Sequence, residues 1–212
     1  DRFQTIYRTW DRHRNVDGEL FRTARLTSGP AAARDLPPRG TIAFFTGGVD
    51  SFHTAVTRRH EIDALVHVHG FDVRLGQDGL RSRIGRRVRA AADVLGLPLL
   101  EVTTDLRTLG DRVGLDWLDH HGSALASVGL LLAPIASRVL VPATHTYAEL
   151  RPLGSHPLLD PLWSTEDTEV EHVGAEVDRL AKIATIAEHP AARAHLRVCW
   201  ENRSGAYNCG LC

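Results

Sequence analysis

The residues Thr46-Gly47-Gly48-Val49-Asp50-Ser51 join an apolar strand, Thr41 to Phe45, to a helix that begins near Ser51. Two adjacent glycines let the backbone turn tightly and bring its N–H groups against an anion, and a helix N-terminus behind them adds unpaired donors and the positive end of a dipole. Thr46 and Ser51 put a hydroxyl at each end of the turn, and Asp50 adds a carboxylate. This is the chemistry of a phosphate cradle. It is neither the Walker pattern, since no lysine stands here, nor Gly-x-Gly-x-x-Gly. A Gly-Gly pair alone reads as an ordinary turn; the flanking hydroxyls, Asp50 and the preceding strand favour the cradle. Asp50 either holds magnesium or orders the loop through its backbone N–H groups, and the sequence does not separate the two. A polyphosphate would bring Mg2+ in any case, because its charge must be neutralised.

Three further groups carry chemistry. Cys199, Cys209 and Cys212 crowd into the last 14 residues as Cys-x9-Cys-x2-Cys, the spacing of a tetrahedral zinc site, with Gly210 inside the knuckle. Free thiols, or a redox pair at Cys209 and Cys212, are the alternatives. Arg179 and Lys182 sit on a late helix from which a cation can reach a polyphosphate, a solvated helix face being the plainer reading. Among the 12 histidines, His67 and His69 share a strand face and His120 and His121 are neighbours. Most read as ordinary surface or core residues, but His145 follows a strand at the ligand edge and suits contact with substrate or ribose.

The elements that must position these residues alternate. Short apolar runs at Thr41 to Phe45, Ala64 to His69, Leu99 to Thr103 and Val139 to Ala143 read as buried strands, and His195 to Val198 as a fifth. Helices are expected over Ser51 to His60, Ser82 to Leu95, Ser123 to Ala133 and Val170 to Ala187, the third apolar almost all round and so buried. Strands and helices at this spacing predict an α/β fold, a doubly wound Rossmann-like parallel sheet of about five strands with helices on both faces. Ligands in such sheets bind at the carboxyl ends of the strands, so Gly70 to Asp72, Thr104-Asp105 and Thr144-His145-Thr146 should meet at the phosphate loop. Gly29-Pro30 and Pro37-Pro38 mark residues 29 to 40 as a linker. The expected organisation is an N-terminal extension over 1–40, an α/β domain over 41–198 and a C-terminal zinc-binding segment over 199–212.

With 25 basic and 26 acidic residues the net charge is −1, which supplies no global field to attract nucleic acid. No apolar run approaches the roughly 20 residues of a membrane span, and no signal-peptide pattern opens the chain. A soluble, cytoplasmic protein is expected, with a small-molecule substrate as partner and room for a homodimer.

The loop resembles the Ser-Gly-Gly-x-Asp-Ser motif of the PP-loop ATP pyrophosphatases, the adenine nucleotide alpha hydrolase-like superfamily, with Thr46 in place of the first serine. The last 55 residues or so resemble its 7-cyano-7-deazaguanine synthase-like subgroup. There Asp160-Pro161-Leu162-Trp163-Ser164-Thr165, with Glu169-Val170 and Gly174, is similar to Pro-Leu-x4-Lys-x-Glu-Ile-x3-Gly, and the cysteines to Cys-x8-Cys-Gly-x-Cys-x2-Cys. The resemblance implies that Thr46, Gly47, Gly48, Val49, Asp50 and Ser51 hold the pyrophosphate end of ATP, and that Gly70 and Phe71 pass beside the adenine. Thr144 and His145 would complete the nucleotide site, with Asp50, Ser51 and Lys182 acting in catalysis. It also implies a structural zinc on Cys199, Cys209 and Cys212, with a fourth cysteine beyond residue 212.

The departures limit what carries over. Asp167 and Thr168 stand where the subgroup has its lysine, and Leu153 to Pro157 replaces its Tyr-Pro-Asp substrate motif, so the cyanodeazaguanine activity is not carried over. The expected function is an ATP-dependent, ligase-type enzyme. It would adenylate a carboxylate, amide or carbonyl oxygen, releasing pyrophosphate, for attack by a nitrogen nucleophile. A tRNA-modifying sulfurtransferase is the alternative, although it normally needs a nucleophilic cysteine near the loop. The other is a non-catalytic nucleotide-binding module of the universal-stress type.

Overall fold

The computed structural model describes residues 2–13, 39–200 and 205–210. The glycine-rich turn sits between strand β1 (Gly40–Phe44) and helix α2 (Val49–Thr57), behind an N-terminal helix α1 (Arg2–His13). The chain continues through β2 (Ala64–His69), α3 (Asp78–Leu95), β3 (Leu99–Thr103), α4 (Leu106–Arg112), α5 (Trp117–Leu131) and β4 (Ala136–Pro142). Strand β5 (Glu169–Val173), α6 (Arg179–Ala187) and α7 (Pro190–His195) follow. The sheet has the order β3-β2-β1-β4-β5 and every pairing is parallel. The first crossovers step outward to β3, and the chain then returns past β1 to build β4 and β5. That reversal puts the switch point between β1 and its two neighbours, where open parallel sheets bind ligands.

Alternation along the strands divides the core in two. Ala43, Phe45, Leu65 and Leu140 face the layer formed by α2, α3, α6 and α7, whereas Ile42, Phe44, Val66, Val139 and Val141 face α5. Phe45 and Phe52 are fully buried and meet edge to face at 4.9 Å, locking the loop's two ends to one core. Each such ring contributes about 1.5–3 kcal/mol by leaving water. On the α5 face, α1 closes the layer: Tyr7 donates to the Asp119 carbonyl at 2.9 Å, and Phe3 packs on Trp163. Of the extension and linker expected over 1–40, residues 1 and 14–38 lie outside the described residues, and Gly40 already opens β1.

Two sequence expectations fail together. Residues 170–187 are not one helix, because Glu169–Val173 pairs with β4 as an outer strand and a turn at Gly174 precedes α6. The apparent helical seam mixed two elements: Val170 and Val173 are buried on opposite faces of the strand, while Leu180 is 79% exposed. The run at His195 to Val198 is then not needed as a fifth strand, and it leaves α7 as irregular chain. Helix α5 also begins earlier than expected and is not buried all round, since Leu118 and Leu131 face solvent. Among the described residues, no helix is long and apolar enough to cross a membrane.

Candidate functional site

The loop turns on Gly47, whose φ of +77° lies in the left-handed region. Its hydroxyls brace it from within. Ser51 Oγ accepts from the Thr46 N–H at 3.3 Å and donates to the Gly48 carbonyl at 3.0 Å, and Thr46 Oγ1 accepts from the Gly48 N–H at 3.3 Å. Gly48 is the N-cap of α2 and no side chain caps that helix, so the first-turn N–H groups remain for an anion. Val49 turns its side chain into the core and presents only backbone to the loop.

Asp50 is held by two cations from α6. Lys182 Nζ donates to Oδ1 at 3.1 Å and Arg179 to Oδ2 at 3.0 Å. The capping carboxylate of Asp178, which accepts from the Ala181 N–H at 2.8 Å, fixes where α6 starts and so aims both side chains back at the loop. Lys182 is only 2% exposed, and its ammonium also donates to the Ala143 carbonyl at 2.7 Å. An ammonium has three donors, so one is left unspent beside the loop. His53 lies on the same side of α2. Burial, and then the Lys182 charge, lower its affinity for a proton.

The loop opens onto a cleft of about 200 Å3 lined by Thr46, Gly48, Asp50, Ser51, Phe71 and Thr144, among others. Phe71, 4% exposed, packs against Trp117 with ring centroids 5.0 Å apart, and the Arg107 guanidinium lies 5.2 Å from the Trp117 ring. Phe71, Asp72 and Thr144 thus reach the cleft as the topology predicts, but Gly70 and Thr104-Asp105 do not line it. Gly70 has its own steric reason to be glycine. At φ +106° a Cβ would come within 2.0 Å of the Thr104 carbonyl oxygen. His145 lines a second pocket, of about 270 Å3, which shares Thr144, His121 and Ser155 with the first. The junction depends on a close backbone approach: a Cβ on Gly122 would lie 1.9 Å from the Gly154 carbonyl, and the Gly154 N–H donates to the Leu118 carbonyl at 2.7 Å. This contact brings the 153–157 segment against α5.

The C-terminal segment buttresses the loop. The Arg197 N–H donates to the Gly47 carbonyl at 2.8 Å, and its buried guanidinium donates to Asp72 at 3.2 Å. Asn208 fastens the same segment, accepting from the Val198 and Cys199 N–H groups at 2.9 and 3.2 Å and donating to the Leu196 carbonyl at 2.9 Å. Cys199 and Cys209 come together with their Sγ atoms 3.4 Å apart. That is far beyond a disulfide and near the separation of about 3.8 Å that two thiolates take on one tetrahedral zinc. Cys212 lies outside the described residues, and among those described no cluster of three metal-ligating side chains forms.

The remaining histidines divide. His67 bonds the Phe45 carbonyl at 3.0 Å and stacks edge-on with His69, which meets Glu101 at 2.8 Å, so that pair belongs to the sheet edge. His121, His156 and His172 instead line the second pocket with His145. Nothing in the sequence marks His156, Asp160 and His172 as partners, because β5 brings His172 back from 12 residues away to the short helical turn at Asp160–Trp163. The stretch from Asp160 to Gly174 that resembles the synthase subgroup was the available signal.

No protein-family model matches the chain, and no curated protein matches it. The parallel sheet, its strand order and the loop at its carboxyl edge rest on the structure alone.

Proposed function

We propose that the protein is an ATP-dependent, ligase-type enzyme of the PP-loop kind, which transfers the adenylyl group of ATP to an oxygen of a small molecule and releases pyrophosphate. The observation that carries this reading is the uncapped α2 N-terminus facing a cleft lined by Asp50, the carboxylate that buried Lys182 holds from behind. The first-turn backbone N–H groups at 49–51, the Thr46 hydroxyl and that ammonium form a donor set for a polyphosphate, and they are ordered before it arrives. The aromatic wall of Phe71 and Trp117 suits an adenine ring. Mg2+ enters with ATP, since the Asp50 carboxylate is already engaged by two cations. The second pocket is where the acceptor molecule sits, within reach of the α-phosphate through the shared opening at Thr144 and Ser155.

Zinc belongs to the same proposal in a structural role. Cys199 and Cys209 fit two thiolate positions, and the ion would supply rigidity to the segment that supports Gly47. The near-neutral charge favours a small-molecule acceptor over tRNA sulfuration.

Product analysis tests the reading. Any ATP turnover yields AMP and pyrophosphate, and accumulation of ADP and phosphate sinks it. Gly48→Val abolishes turnover, because a branched side chain stands where the anion must approach; a folded, active Gly48→Val protein would mean the cleft is not the site.

A further inference from the structure

The geometry points to His172, held by the buried carboxylate of Asp160, as the general base that takes the proton from the attacking nitrogen nucleophile. The inference rests on the adenylation reading and assigns a role within the second pocket. Asp160 Oδ2 lies 2.7 Å from His172 Nδ1, with the two side chains 2% and 5% exposed. A carboxylate at that distance fixes the ring's proton on Nδ1 and leaves the Nε2 lone pair as the basic atom. Among the described residues Nε2 takes no protein partner, while the ring lines the pocket that adjoins the phosphate cleft.

Asp160 is itself positioned. The Ser155 hydroxyl donates to its Oδ2 at 2.7 Å and the His156 N–H to its Oδ1 at 3.3 Å. Ser155 also lines both cavities, so the carboxylate is anchored by the residue at their junction.

The other imidazoles differ. His156 Nδ1 accepts from the Leu158 N–H at 3.1 Å, which puts its proton on Nε2 and makes it a hydrogen-bond donor. Burial first, and the neighbouring His172 second, lower its affinity for a further proton. His121 Nδ1 meets the Leu118 carbonyl at 3.2 Å, but no carboxylate hydrogen-bonds the ring, and burial lowers its affinity for a proton. His145 and Arg151 complete the polar lining. Of the four rings only His172 has its proton fixed by a buried acid, the arrangement that holds an imidazole in the base-ready tautomer.

The step balances without further reagents. The nitrogen forms a bond to the adenylated carbon, the carbon–oxygen bond to phosphate breaks, and AMP leaves with that electron pair. The proton that nitrogen sheds passes to His172 Nε2. Asp160 is a positioning residue and touches no reacting atom.

Long-range 1H–15N correlation spectra of imidazole-labelled protein test the dyad without substrate. Above neutral pH His172 appears as the Nδ1–H tautomer, and in Asp160→Asn, which keeps the volume, that preference is lost. A His172 with its proton on Nε2 in the wild-type protein overturns the proposal. The enzymatic arm uses MgATP, labelled pyrophosphate, ammonium and an equimolar mixture of small heteroaromatic carboxylic acids. His172→Gln keeps pyrophosphate exchange into ATP within about threefold while amide formation falls about 10²- to 10⁴-fold. Equal loss of exchange and amide formation overturns the role as base. A wild-type protein that never exchanges pyrophosphate sinks the adenylation reading instead, and the tautomer spectrum tells that failure from a failure of the dyad.

Discussion

Charged side chains gather at both ends of the sheet, and they are arranged in opposite ways. Toward the amino ends of the strands, where α2 stops, Arg58, Glu61, Arg138 and Glu171 interlock: Arg138 donates to Glu61 at 2.7 Å and to Glu171 at 2.9 Å, and Arg58 donates to the same two carboxylates at 2.9 and 3.2 Å. Each side chain is 26–32% exposed, and each charge is met by an opposite charge. At the carboxyl ends several ionisable groups lie deeper. Lys182, Asp160 and His172 are 5% exposed or less, and His172 lines a cavity. A closed network open to water returns little free energy and leaves no group for a ligand. Burying a charge beside a cleft costs folding energy that packing alone does not recover.

The largest effect that can break this contrast is expected at Asp50. Asp50→Ala leaves the Lys182 ammonium buried without its carboxylate, and removing one partner of a buried pair costs about 3–5 kcal/mol. Because the Asp50 side chain is 17% exposed and the second cation, Arg179, is 54% exposed, the lower end of that range applies. Turnover of ATP is lost as well. Adding Lys182→Met to this variant restores part of the stability, since no unpaired charge remains, but leaves the Ala143 carbonyl without its donor and restores no turnover. Thermal melts and pyrophosphate release read the two effects separately. Wild-type stability in Asp50→Ala would place this pair in the same class as the amino-edge network.

The strand, turn and helix at residues 40–57 were legible in the chain because their signal is local, and Gly48, Asp50 and Ser51 all line the cleft. Lys182 was legible only as a cation on a late helix; its pairing with Asp50 depends on where α6 starts, and β5 sets that. Strand β5 was the element hardest to read, since Glu169-Val170-Glu171-His172-Val173 carries only two apolar residues and runs into a helix with a compatible period. Misreading it hid His172 from Asp160, and Trp117 and His121 stayed hidden because α5 starts earlier than its apolar run. Long-range pairs follow from topology, and the topology hung on one polar edge strand.

A smaller effect sharpens how the carboxyl edge is held. The Arg197 N–H reaches Gly47 from the segment that carries Cys199 and Cys209. If that segment is clamped by zinc, Cys209→Ser lowers metal content and thermal stability together, and it also weakens ATP binding through the loosened loop. Elemental analysis, melting and nucleotide titration follow the three quantities. Structural knuckles bury little apolar surface, so the metal provides most of the folding energy of that short segment. Full stability after chelation rules out the structural role and reopens the redox reading of Cys209 and Cys212.

The smallest effect belongs to the amino edge and carries a sign. Hydrogen bonds from Arg58 first, and then Arg138, hold the Glu61 carboxyl below the usual carboxylate range. A carboxyl whose pKa is lower folded than unfolded binds fewer protons in the native state, so its stabilisation is complete above the unfolded value and disappears as pH falls through the folded one. Glu61→Gln therefore destabilises the protein at neutral pH by only about 0.5–1 kcal/mol, because the network is part-exposed and Glu171 still serves both arginines. It also flattens the acid limb of the stability curve, where the wild-type protein alone still has this proton to take up. Denaturant titrations between neutral and acid pH compare the two slopes, with ATP turnover unchanged throughout. A Glu61→Gln protein that loses several kcal/mol, or loses turnover, would mean that the amino-edge network is not the solvated brace its geometry describes.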